Sequence, residues 1–113
     1  MTEQDSATVL IVDDENDIVE IFALGLKDEY NVIKAYSGQE ALDKISNDVD
    51  VVLLDRRMPE MTGKEVLSEI RERELNVRVA MVTAVDPDFD ITEMGFDTYI
   101  QKPVDTDELK DVV

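Results

Sequence analysis

In a chain with no cysteine and no histidine, reactive chemistry falls to carboxylates, hydroxyls and lysine. Thiolate metal sites, disulfides and the usual imidazole base or zinc ligand are all excluded. Five residues of the remaining types stand where apolar runs end. They are Asp13-Asp14 after VLIV, Asp55 after VVLL, Thr83 closing RVAMVT, and Lys102 in YIQKPV. Singly, each has an ordinary explanation. An aspartate after a strand is often a turn former or helix cap, a threonine suits a strand, and a lysine is usually a solvated charge. Together they are harder to dismiss, because three crowded carboxylates repel and cost stability. A hard divalent cation resolves that conflict. Mg²⁺ takes oxygen ligands, commonly one or two protein carboxylates, and leaves other positions to water and phosphate. Lysine adds a point charge for phosphate and threonine a hydrogen-bond donor. A nucleophilic carboxylate in that company is equipped for phosphoryl transfer, which depends mainly on positioning and charge neutralisation.

These residues can meet only if the chain folds to bring the run ends to one edge. The pattern does this. Val9–Val12 is a β-branched and leucine run that fits a buried strand. Ile18, Val19, Ile21, Phe22 and Leu26 recur at helical spacing, which predicts a helix over about 16–29. Strands are predicted at Tyr30–Ala35, Val49–Leu54, Arg78–Thr83 and Thr98–Lys102. Ser37 with Glu40, and Thr62 with Glu65, have the S/T-x-x-E spacing of a capping box ahead of amphipathic helices. Asp86-Pro87 opens a short helical piece ending at Gly95, and a last helix starts near Thr106. Strict alternation of strand and helix implies parallel strands with right-handed crossovers. Central strands apolar at every position imply helices on both faces. The expected fold is therefore α/β, a doubly wound five-stranded parallel sheet, in one domain over 1–113 with its core from about residue 8 and a tail over 1–7. In such sheets function gathers beyond the carboxyl ends of the strands. That is where the five residues fall.

Charge narrows the partners. Twenty-eight acids against 11 bases give a formal net charge of −17. Most of the acids are expected to be plain solvated surface. A field of this sign repels nucleic-acid phosphates and anionic membrane surfaces, so direct DNA binding by this domain is not expected. The apolar run near the N-terminus is too short for a signal peptide or a membrane span, and a cytoplasmic location is expected. Self-repulsion of this size is easiest to tolerate where salt screens it, which points to a halophilic source.

The motifs VLIVDDE, VVLLDRRMPEMTG, VTA and YIQKPV, in this order, resemble the receiver domain of two-component response regulators, over about residues 8–113. The resemblance implies a flavodoxin-like (βα)5 fold with strand order 2-1-3-4-5. It implies that Asp55 accepts a phosphoryl group from a histidine of a sensor kinase or from a small phosphodonor. Asp14 and Asp55 match direct Mg²⁺ ligands, with the backbone carbonyl of Arg57 beside them, and Asp13 matches an acid acting mostly through a metal-bound water. Lys102 matches the residue that pairs with a phosphoryl oxygen, and its bond to Pro103 is expected to be cis. Thr83 matches the switch hydroxyl and Tyr99 the aromatic that turns inward behind it. The family is a switch with at most weak self-dephosphorylation, often joined to a C-terminal output domain and able to form a homodimer on phosphorylation. A role in transcription regulation would follow from such an output domain.

Two departures stand out. Eighteen residues separate Thr83 from Lys102, fewer than the family usually has, so the fourth helix is expected to be short; the fifth is expected to be truncated because the sequence runs out within it at Val113. The family's customary dimer face is thereby in doubt. Arg57, two residues past the phosphoacceptor, is expected to tune how long the phosphoryl survives. The acidity and the short fourth helix resemble archaeal regulators that join a receiver to a HalX-type helical domain. Three other readings weigh less. A haloacid dehalogenase-type phosphohydrolase wants D-x-D after the first strand, where this chain has Asp13-Asp14-Glu15. A non-phosphorylated adaptor of the same fold predicts loss of a site residue, and a flavin carrier wants a phosphate-cradling loop instead of Asp-Asp-Glu-Asn.

Overall fold

Parallel pairing joins the apolar runs into one sheet. In the computed structural model, which describes residues 7–55, 58, 60–83 and 98–101, the elements are β1 (Thr8–Val12), α1 (Asn16–Leu26), β2 (Asn31–Ala35), α2 (Gly38–Lys44), β3 (Val51–Leu54), α3 (Gly63–Glu72), β4 (Arg78–Thr83) and β5 (Thr98–Gln101). All neighbouring strands are parallel and the order is β2-β1-β3-β4-β5, as expected. The shortened fourth helix and the truncated fifth fall outside the described residues.

Strand alternation divides the core in two. Leu10, Val12, Val52, Leu54, Val79 and Met81 face α2 and α3, where Ala41, Leu42, Val66, Leu67 and Ile70 meet them. Val9, Ile11, Val51, Leu53, Ala80 and Val82 face the other way, against Val19, Phe22, Ala23 and Leu26 of α1. A residue and its neighbour therefore both need apolar side chains, and every position of β3 is buried. Among the described residues, no helix is long and apolar enough to cross a membrane.

Local chemistry sets the element ends. Thr62 caps α3 with a complete box: its hydroxyl accepts the Glu65 N–H while the Glu65 carboxylate accepts the Thr62 N–H. At α2 only half of the expected box forms. Ser37 accepts the Glu40 N–H, but the Glu40 carboxylate reaches one residue further back to the N–H of Tyr36. α1 stops at Leu26, short of the predicted 29, and Tyr30 precedes β2 instead of opening it because its N–H is bonded back to the Leu26 carbonyl at 2.9 Å. Val49 is buried yet lies before β3, beyond Asp50, so the predicted strand began two residues early.

Candidate functional site

The sheet ladder itself brings the acids together. β1 and β3 pair with Val12 opposite Leu54, and the next N–H on β3, that of Asp55, donates to the Val12 carbonyl at 3.0 Å. Asp13 and Asp55 therefore leave adjacent strands side by side. On the other flank the Asp13 N–H donates to the Ala35 carbonyl at 3.2 Å, so the end of β2 holds the same turn. Asp13 and Asp55 are the two buried charged residues of the described core, at 3% and 6% exposure. Burial of this kind requires compensation by partners or a cation.

Asp13, Asp14 and Asp55 each offer a carboxylate oxygen, and the three oxygens lie within 4.8 Å of one another. One Asp13 oxygen, Oδ1, accepts the N–H of Glu15 at 2.9 Å, which tethers that carboxylate to the start of α1. Glu15 occupies the N-cap position but makes no capping bond with its own side chain. The donor set is all oxygen and strongly anionic, which fits a hard divalent cation and not a soft metal.

The remaining predicted residues divide by position. Thr83 ends β4 opposite Gln101, two residues beyond the Met81 that pairs with Leu54, so its backbone lies at the same sheet edge as Asp55. Tyr99 lies on β5 and pairs with Met81. Arg57, Lys102 and Pro103 fall outside the described residues. The structure thus brings the three aspartates together and puts the Thr83 backbone at the same sheet edge.

A second polar group was not singled out from sequence. The Glu20 carboxylate takes one bond from Lys34 Nζ at 2.8 Å and another from the Tyr36 hydroxyl at 2.6 Å. These bonds hold the Glu20 carboxyl below its ordinary range, the Lys34 bond foremost. The same carboxylate raises both Lys34 and Tyr36. Nothing in the sequence signals this group, since its members are ordinary surface residues 14 and 16 positions apart.

A family model for the response regulator receiver domain matches residues 9–113. The chain belongs to that family. A Haloferax volcanii protein named as a candidate transcriptional regulator is 55% identical over 106 residues, which are 93% of this chain and 18% of that protein. The response regulator SaeR of Staphylococcus aureus is 37% identical over 89% of this chain and 46% of its own length. This receiver domain therefore spans less than half the length of either relative. Among solved structures, the CheX–CheY–BeF3–Mg²⁺ complex of Borrelia burgdorferi superposes with a TM-score of 0.85 at 34% identity, covering 93% of this chain and 84% of that one.

Proposed function

We propose that this receiver domain accepts a phosphoryl group on Asp55 from a phosphohistidine of a sensor kinase, in the presence of Mg²⁺. The observation that carries the reading is the buried Asp13–Asp55 pair, with Asp14 beside it, at the carboxyl edge of the sheet. An Asp55 oxygen forms the new bond to phosphorus while the nitrogen–phosphorus bond of the donor breaks, its electron pair returning to the imidazole. β3 keeps the attacking oxygen in line, because its four residues before Asp55 are fully packed. Asp13, Asp14, Asp55 and the backbone carbonyl of Arg57 would hold Mg²⁺, which offsets the crowding of carboxylates and neutralises charge on the transferring group. The Mg²⁺ named in the related Borrelia complex supports this choice of cation.

Lys102 and Thr83 are assigned to the phosphoryl oxygens, and Tyr99 to the movement that follows. The adduct adds nearly two negative charges and several acceptor oxygens. Turning Thr83 and Lys102 toward them biases a two-state surface around β4 and β5, changing affinity for an output domain, a partner or a second copy. The domain is a cytoplasmic switch and not a turnover enzyme. Incubation with a small acyl phosphate and Mg²⁺ should leave an alkali-labile phosphoryl adduct detectable by mass spectrometry. Asp55→Ala should abolish it, and labelling that survives this change refutes the assignment.

A further inference from the structure

The acidic cluster has two halves that arrive from different places, Asp13-Asp14 on the turn after β1 and Asp55 at the head of the segment leading to α3. The stretch from the end of β2 into α2 meets the first half at Asp13 and, beyond the second, meets Met61. Its first residue, Ala35, receives the N–H of Asp13 through its carbonyl. Three residues later stands Gly38, the first residue of α2 and itself buried. A β-carbon placed on Gly38 would lie 2.7 Å from Val66 Cγ2 and 3.0 Å from both Cβ and Cγ of Met61.

Both neighbours would have to shift. Val66 is fully buried in the first turn of α3, and its β-branched side chain is stiff. Met61 packs against the same core cluster, and it sits between Glu60, at φ 68°, and Thr62, whose side chain caps α3. The contact at Met61 Cβ is one bond from the backbone, so relief there means moving the chain. Glycine's use here is close approach.

We propose that Gly38 is a positioning residue for the acidic site: its bare Cα seats Met61 and α3 against a turn whose other end holds Asp13, and so sets the distance between the two halves of the cluster. The inference rests on the reading of Asp13, Asp14 and Asp55 as a Mg²⁺ site. A methyl group at 38 drives the turn and Met61 apart, and the cost appears as lost cation affinity although residue 38 touches no ligand.

Calorimetric titration with MgCl2, paired with thermal melting, tests this on the intact chain. Gly38→Ala should weaken Mg²⁺ binding about tenfold, the scale of disrupted support around metal ligands, whereas Val66→Ala should lower the melting temperature with affinity within about twofold of wild type. Gly38→Ala/Val66→Ala, which removes the closest clash, should recover affinity relative to Gly38→Ala while remaining less stable than wild type. Met61→Ile crowds the seat with Gly38 intact and should weaken binding in the same direction, a readout that holds even if Gly38→Ala folds poorly. Unchanged affinity in Gly38→Ala, or affinity that simply tracks stability across the set, overturns the positioning role. Wild-type protein that binds Mg²⁺ no better than Asp14→Asn overturns the site itself and the inference with it.

Discussion

On Glu20 two hydrogen bonds meet, from Lys34 and Tyr36, and they make its carboxylate a reporter of pH. The folded value is depressed, so the stabilisation is present above the ordinary carboxylate range and is lost as pH falls through the lowered value. Lys34 and Tyr36 are raised, so their share is full below their ordinary values and fades as pH rises through the raised ones. The Glu20 and Lys34 side chains are solvent-exposed while Tyr36 is partly buried, and salt bridges of this sort contribute little. The thermal midpoint of wild type should therefore exceed that of Glu20→Gln by a small margin at neutral pH. Melting curves taken stepwise into acid should show that margin closing. At this scale the meeting of the three aspartates was readable and the depth of each was not. Asp13 and Asp14 are identical neighbours in sequence, and only the ladder bond from Asp13 N–H to Ala35 explains why Asp13 is held within the sheet.

Among the elements, α3 offers the sharpest test of local coding. Its capping box is complete, so Thr62→Ala should destabilise the domain by about 1 kcal/mol, seen as a fall of roughly 4 °C in melting temperature. Ser37→Ala at α2 should cost no more, because Glu40 remains bonded to the N–H of Tyr36. Element type and order were legible over the described residues, since continuous apolar runs and 3.6-residue periodicity are strong there. Ends were less so. Tyr30 has high strand propensity but spends its N–H closing α1, and Val49 is apolar because it is buried ahead of β3, not because it pairs within it. Long-range packing decides such cases. The close approach at Gly38 was equally invisible, since Met61 and Val66 lie more than twenty residues away along the chain.

For the whole molecule the net charge of −17 is the controlling quantity. The radius of gyration is 13.1 Å, and at 0.1 M salt the screening length is about 10 Å, so acids within about that distance of one another still repel while opposite flanks are largely screened. At 1 M the length shrinks to about 3 Å and only near neighbours interact. The melting temperature should consequently rise between dilute buffer and molar KCl. A midpoint that stays level across that range would mean the acids are balanced locally instead. Salt that relieves strain within the molecule also removes the repulsion between molecules, and here one small contact takes on weight. β2 is one of the two outer strands of the described sheet, and Lys44 Nζ occupies the carbonyl of Lys34 at 2.6 Å. In brine, charge no longer keeps copies of this domain apart, and the guard against strand-to-strand recruitment must act at hydrogen-bond range. A lysine laid across the rim of the sheet does that without adding to the field it replaces.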